Sequence, residues 1–471
     1  MRKTKIICTL GPSSGSEEVI KELFKAGMNV GRMNMSHGSH ADHRKNITTF
    51  RKVRDELGIP AAVLLDTRGP EIRIGTLENG KAELADGSEF ILTTEDKQGN
   101  NTTVSVTYKG LPKELKEGNR VLINDGMIVL KVTNITDTEI HCEVIHGGTL
   151  TDRKGINIPE VDIQMEYLSD QDKSDLVFAA KEGVDYVAAS FMRTADDAKA
   201  VRNFLDENGG DDVKIIAKIE STQGIKNFEE ILPLVDGIMI ARGDMGVEVD
   251  YVLLPGIQKK IITRCVEEGK IVITATQMLE SMMNNPIPTR AEISDVANAV
   301  FDGTSAVMLS GESAAGRFPV QAVKTMAEIC EQAEEDYEHL PRVPVGYAMN
   351  ADDIVNAVSR AADSLAKDVH AKVIIAVTIS GNTASRMSKY LPSVPIIGST
   401  NNLKVYHQMA LYRGVQPMLR ESRDNMEDIF EHCVLRAMEE GYVEKGDRIV
   451  LSAGVPIGEN RTNTIRVWNV E

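Results

Sequence analysis

The sequence predicts an α/β chain: a parallel (β/α)8 barrel, interrupted by a small β domain and followed by a second α/β domain. Three observations predict it. Short apolar, β-branched runs alternate with helix-like segments at 5–9, 29–34 and 62–67. They resume at 186–191, 214–220, 237–242, 271–276 and 306–310, which makes eight β/α units. Between the third and fourth units, about 71–159, the period changes to short alternating runs at 82–84, 90–93, 103–107, 120–123, 128–133 and 140–144. Turn pairs such as Asn79-Gly80, Asp86-Gly87, Asp125-Gly126 and Gly147-Gly148 separate them, as in an antiparallel β domain. Past a polar join at 331–336 and 341–344, strands at 373–378, 394–397, 448–451 and 464–470 alternate with helices.

Eight such units favour a closed TIM barrel over an open sheet. The expected domains are a discontinuous catalytic barrel at 1–70 and 166–343, an inserted small β-barrel lid at 71–165, and a C-terminal α/β domain at 350–471. The lid leaves from the carboxyl ends of the strands, the face on which barrel active sites form.

Composition narrows the function. With 471 residues and 42% hydrophobic content the chain can bury a large core. A net charge of -17 argues against general nucleic-acid binding, which relies on Lys and Arg. Five scattered cysteines without CxxC spacing fit a reduced, cytoplasmic protein. No apolar run approaches a membrane span, and Gly11-Pro12 breaks the first one too early for a signal peptide.

The strand ends carry the chemistry. Lys218-Ile219-Glu220 closes the fifth strand and Arg242-Gly243-Asp244 the sixth. In a parallel barrel these ends share one rim, so Glu220 and Asp244 can hold one hard divalent cation, Mg²⁺ or Mn²⁺, beside the Lys218 ammonium. Asn34, Ser36, Asp66 and the Thr67 carbonyl form an oxygen cluster suited to a monovalent cation. Arg32, Arg73 and Lys218 can clamp a phosphoryl group. Gly243 and Asp244 can open a short helix whose N–H groups face a carboxylate, with Thr276 adding a hydroxyl. Ser310-Gly311-Glu312 closes the eighth strand. His37, His40 and His43 mimic a metal cluster, but their spacing does not put all three on one helix face. No P-loop, GxGxxG or protein-kinase signature is present.

Long motifs in order carry a resemblance. They include Thr9-Leu10-Gly11-Pro12-Ser13-Ser14, Arg32-Met33-Asn34-Met35-Ser36-His37-Gly38, Asp66-Thr67-Arg68-Gly69-Pro70-Glu71-Ile72-Arg73 and Lys154-Gly155-Ile156-Asn157-Ile158-Pro159. Lys218-Ile219-Glu220, Ala241-Arg242-Gly243-Asp244-Met245-Gly246-Val247-Glu248 and Ala275-Thr276-Gln277-Met278-Leu279-Glu280-Ser281-Met282 continue it. Along nearly its whole length the chain resembles the pyruvate kinases, in the form without an extra C-terminal domain.

The resemblance implies a reaction: phosphoenolpyruvate plus ADP gives pyruvate plus ATP, through a Mg²⁺-stabilised enolate that is then protonated. It implies Glu220 and Asp244 on Mg²⁺, and Asn34, Ser36, Asp66 and Thr67 on K⁺. Arg32, Arg73 and Lys218 stabilise the phosphoryl group, and Gly243, Asp244 and Thr276 hold the substrate carboxylate. Pro12, Asn34, His37, Arg73 and Lys154 face the nucleotide, and Thr276 with Ser310 and Glu312 relays the proton. Thr378, Ser380, Gly381, Asn382 and Thr383 resemble the family's effector loop, for a sugar phosphate or AMP. A homotetramer is the usual assembly. Glu71 accompanies K⁺ dependence in the family, whereas Ile74 is typical of K⁺-independent members. Met35, Arg68, Met245 and Ser313 also depart from the usual residues, and none of them removes a catalytic group.

Overall fold

A computed structural model describes residues 1–339, 353–456 and 461–471. Eight parallel strands close into a barrel: β1 (Lys5–Thr9), β2 (Val30–Asn34), β3 (Ala62–Asp66), β4 (Tyr186–Ala189), β5 (Lys214–Ile219), β6 (Gly237–Ala241), β7 (Ile271–Ala275) and β8 (Ala306–Leu309). Each strand lies within two residues of its sequence reading. Buried on both faces, they are apolar almost throughout. Register matters at one place above all: Asn34 pairs directly with Asp66, so two strand ends present their polar groups side by side.

Local signals delimit the helices between strands. Ser39 and Asp42 form a reciprocal capping box at the start of His40–Leu57, and Ser169 and Asp172 do the same for Asp170–Glu182. Both helices end on a left-handed glycine, Gly58 and Gly183.

The inserted domain is a seven-stranded sheet ordered Ile72–Arg73, Gly155–Asn157, Arg120–Ile123, Ile128–Ile135, Glu139–His146, Glu89–Thr93, Thr103–Ser105, with a two-stranded ribbon of Lys81–Leu84 and Gly148–Thr151. An Ile74–Val106 bridge, with the Gly75 N–H donating to the Ser105 carbonyl at 2.8 Å, ties the two edges of the sheet together. One pair departs from the antiparallel expectation: Glu89–Thr93 and Thr103–Ser105 run parallel.

The C-terminal sheet is ordered Val415–Leu419, Ile396–Thr400, Val373–Val377, Arg448–Ala453, Thr464–Asn469, with only the last strand antiparallel. The segment leading into Val415–Leu419 packs on the amino ends of the barrel strands. Met409, Leu411 and Tyr412 share one core with Ile7, Val30, Leu64 and Met239 from the barrel lumen. Lys5 donates to the Val415 carbonyl at 2.7 Å, and the Tyr186 hydroxyl to the Gln408 carbonyl at 2.6 Å. The polar run at 331–336, whose charges also suit a solvated helix, forms the last turns of helix Pro319–His339. There Glu334 is buried and accepts the N–H groups of Lys3 and Thr4 at 2.7 and 2.5 Å, tying the helix to the start of β1. Residues 341–344 of the expected join lie outside the described residues.

Candidate active site

At the carboxyl ends of β2 to β5, five side chains form one buried chain of contacts. Arg32 donates through Nε to Asp66 Oδ2 at 2.7 Å and through Nη1 to Thr9 Oγ1 at 2.8 Å. The other oxygen of Asp66 lies 3.0 Å from Lys218 Nζ and 3.2 Å from Ser190 Oγ. Lys218 also donates to Ser190 Oγ at 2.6 Å and lies 3.0 Å from Glu220 Oε1. All five residues are buried, Asp66 and Glu220 completely.

Burial works against the Asp66 carboxylate, yet Arg32 and Lys218 together hold its pKa below the ordinary range. Lys218 is likewise penalised by burial, and its two carboxylates more than reverse that, raising its pKa. Glu220 behaves differently. Burial, with the charge of Asp244 adding to it, pushes its pKa up to about 7 despite the neighbouring ammonium. Oε2 of Glu220 accepts the Phe191 N–H at 2.6 Å, whereas the buried Oε1 has no aligned hydrogen-bond donor although Lys218 is close. A desolvated carboxylate oxygen without a donor is what a metal ion would satisfy.

Asp244 sits in the first turn of the short helix Arg242–Glu248 and faces a cleft of about 270 Å³ beneath the inserted domain. Arg73, Lys154, Asn157, Phe191 and Glu248 also line this cleft. Among the described residues no group of three or more His, Cys, Asp or Glu side chains could hold a metal. Glu220 and Asp244 would therefore supply two carboxylates and leave the remaining positions open. That fits Mg²⁺ or Mn²⁺, which take few protein carboxylates and complete their shell with water and phosphate oxygens.

Three of the four monovalent-cation candidates stand on adjacent strand ends. Asn34 and Asp66 are in register, and Thr67 follows directly. Asn34 Oδ1 accepts the Ser36 N–H at 3.1 Å, and the Thr67 carbonyl accepts from Ser190 Oγ at 2.7 Å.

Thr276 follows β7 in a left-handed conformation, φ 65°, which a β-branched residue rarely adopts. Arg242 holds it there, donating to the Thr276 carbonyl at 2.7 Å and the Gln277 carbonyl at 3.1 Å, while Asp295 anchors the guanidinium at 2.7 Å. Thr276 Oγ1 accepts the Gly243 N–H at 2.8 Å. That N–H, expected to be free for a substrate carboxylate, is thus engaged, because the strained turn brings the hydroxyl over the helix start. Glu312, 3% exposed, accepts the N–H groups of Leu279 and Ser310 at 3.1 and 2.8 Å, so it fixes the loops after β7 and β8.

Arg73 is not joined to Arg32 or Lys218 by any contact. Glu71, two residues earlier, captures its guanidinium at 2.5 Å, and Arg73 Nη1 donates to the Arg153 carbonyl at 2.8 Å. It therefore belongs to the cleft with Lys154, while Pro12 and His37 are exposed in the turns after β1 and β2. The histidine trio is no metal cluster: His40 pairs with Asp175 at 2.7 Å, and His43 Nε2 donates to the His37 carbonyl at 2.7 Å. In the C-terminal domain Thr378, Ser380, Asn382 and Thr383 line a second cavity together with Arg420 and Arg461. Gly381 N–H donates to Thr378 Oγ1 at 2.9 Å, which folds the loop.

Two groups escaped sequence reasoning. Ser190 closes the fourth strand, and its signal was its position, one residue past an apolar run. Arg420 follows Val415–Leu419, a strand hidden by Pro417.

A family model described as "Pyruvate kinase, barrel domain" matches residues 1–323, and one described as "Pyruvate kinase, alpha/beta domain" matches 356–468. The chain is 45% identical to a pyruvate kinase of Clostridium acetobutylicum and 46% to one of Clostridium perfringens, covering 100% of both chains in each case. It is 43% identical to a pyruvate kinase of Staphylococcus aureus over 99% of this chain and 80% of that one. The crystal structure of a pyruvate kinase from Cryptosporidium parvum superposes with a TM-score of 0.92 at 38% identity, covering 100% of this chain and 96% of the other.

Proposed function

This chain belongs to the pyruvate kinase family, and on that premise we propose that the linked cluster at the ends of β2 to β5 is its phosphoryl-transfer site. The reaction is transfer of the phosphoryl group of phosphoenolpyruvate to ADP, giving pyruvate and ATP in glycolysis. The observation that carries the assignment of residues is the buried Arg32–Asp66–Lys218–Glu220 array, two cations alternating with two carboxylates.

Phosphoryl transfer needs positioning and neutralisation of charge more than covalent chemistry. Lys218 is held charged by Asp66 and Glu220, and Arg32 is fixed by Asp66 and Thr9. Both cations are therefore preorganised in a low-dielectric setting, where a single well-placed donor can be worth about 3 kcal/mol. Glu220 and Asp244 would hold Mg²⁺ or Mn²⁺, which when bound neutralises charge developing on the reacting oxygens. Asn34, Ser36, Asp66 and the Thr67 carbonyl would hold K⁺. Thr276 and the helix start at Gly243 would orient the substrate carboxylate, the hydroxyl of Thr276 releasing that N–H to do so. Thr276 would also pass the proton that completes pyruvate, with Glu312 and Ser310 keeping its loop in place.

The cleft beneath the inserted domain suits the nucleotide, with Arg73 and Lys154 meeting its phosphates and Pro12 and His37 at its rim. The loop at Thr378, Ser380, Gly381, Asn382 and Thr383 would bind a phosphorylated effector such as a sugar phosphate or AMP. A homotetramer is the expected assembly. The test is pyruvate formation in a coupled lactate dehydrogenase assay. Lys218→Met should abolish it while leaving the fold intact by circular dichroism. Near-normal turnover in that variant would remove Lys218 from the mechanism.

A further inference from the structure

Every polar group of Ser190 is committed. Its N–H donates to Thr67 Oγ1 at 3.2 Å, its carbonyl accepts from the Tyr167 hydroxyl at 2.8 Å, and its Oγ lies between Lys218, Asp66 and Thr67. The residue is 1% exposed. Gly69 makes the packing possible: a Cβ there would sit 2.9 Å from both Cβ and the carbonyl oxygen of Ser190, so the loop after β3 rests directly on this serine.

Chemistry fixes the direction of the bonds. An ammonium has only donors, so Lys218 must donate to Ser190 Oγ. A hydroxyl has one proton, and the Thr67 carbonyl at 2.7 Å takes it in preference to Asp66 Oδ1 at 3.2 Å. A single oxygen atom therefore connects Lys218 to the backbone oxygen assigned above to the monovalent cation.

We infer that Ser190 is a positioning residue that couples the two sites: its hydroxyl sets the Lys218 ammonium against the Thr67 carbonyl, so cation binding at Thr67 and phosphoryl neutralisation by Lys218 act through one hydrogen-bonded atom. Bonded to both the Thr67 carbonyl and the Lys218 ammonium, this hydroxyl fixes the direction of each, so its loss would loosen both sites together. The inference rests on the reading of Thr67 as a K⁺ ligand.

The experiment compares full-length wild type, Ser190→Ala and Ser190→Thr in KCl against tetramethylammonium chloride at equal ionic strength. Two quantities are read: the K⁺ concentration giving half-maximal pyruvate formation, and the K⁺-dependent rise in Tm without substrate. For Ser190→Ala, turnover should fall about 10- to 100-fold and half-saturating K⁺ should rise at least about fivefold. Its K⁺-dependent rise in Tm should shrink to match. Ser190→Thr keeps the hydroxyl and should hold half-saturating K⁺ within about threefold of wild type. If Ser190→Ala does not fold, Ser190→Cys, nearly isosteric but a weak hydrogen-bonding partner, should show the same defects. A serine of purely structural importance would lower Tm without moving either K⁺ response. Wild-type K⁺ responses in the alanine or cysteine variant therefore overturn the coupling, whatever the turnover. A wild type that ignores K⁺ in both readouts overturns the cation reading itself, and the coupling with it.

Discussion

Lys218 Nζ on β5 and Asp66 Oδ1 on β3 lie 3.0 Å apart, bridging across the end of the strand between them. Asp66 is the only carboxylate that touches both Arg32 and Lys218 among the described residues, one oxygen serving each. Asp66→Asn replaces one of these oxygens by an NH₂ group facing a buried cation. Turnover should fall at least ~100-fold, and chemical denaturation should show a loss of about 3 kcal/mol, because a buried charge is left without its partner. A variant with wild-type stability and turnover would show that the two cations are positioned by something else.

Thr276 combines a hydroxyl with a strained backbone, φ 65°. Glycine adopts that conformation without the steric penalty, which is of order 1–3 kcal/mol for a residue with a side chain. Thr276→Gly should therefore match or exceed wild-type Tm even though it loses the bond from the Gly243 N–H, while pyruvate formation falls about 10- to 100-fold. A Tm drop beyond ~5 °C would mean that the turn stores no strain.

Much of this was legible in the amino-acid order because a parallel barrel buries both faces of its strands. Runs such as 237–241 could hardly be anything but strand, and their ends, carrying Glu220 and Asp244, fall on one rim. Closely spaced polar residues were legible for the same reason. Other parts depend on contacts between distant segments. Ser190 looks like an ordinary residue ending a strand until Lys218 and Thr67 arrive from strands on either side of it. Arg73 stands in a motif with Glu71, and only the folded geometry shows that the pair is closed on itself. Pro417 hid a strand because proline is tolerated on a sheet edge, which is where Val415–Leu419 lies. Backbone angles such as that of Thr276 leave no trace in a side-chain pattern.

His407, 7% exposed, packs with both ring nitrogens buried and without hydrogen-bond partners. Burial first, and then the charge of Arg54, push its pKa from 6.5 down to about 4. The unfolded chain therefore binds a proton that the folded one refuses between about pH 6.5 and 4, so folding stability contributed here falls as pH drops through that window. His407→Met should remove this dependence. The difference in stability between variant and wild type should grow by about 3 kcal/mol from pH 7 to pH 4 in favour of methionine. Parallel stability curves for the two proteins would show that the imidazole titrates normally.

Arg420 is 7% exposed, lines the cavity of the C-terminal domain, and keeps its Nε buried without a partner, while Nη1 donates to the Glu421 carbonyl at 2.9 Å. Burial lowers its pKa, so the charge is held in an unfavourable setting that a phosphate would relieve. Arg461, Thr378, Ser380 and Thr383 stand around the same cavity. A panel of sugar phosphates and AMP should contain a compound that raises the Tm of wild type, and Arg420→Met should lose that rise while keeping at least half of the basal turnover, since the cavity lies in the other domain. If the methionine variant responds to the same compound with undiminished affinity, the guanidinium is not part of the effector site.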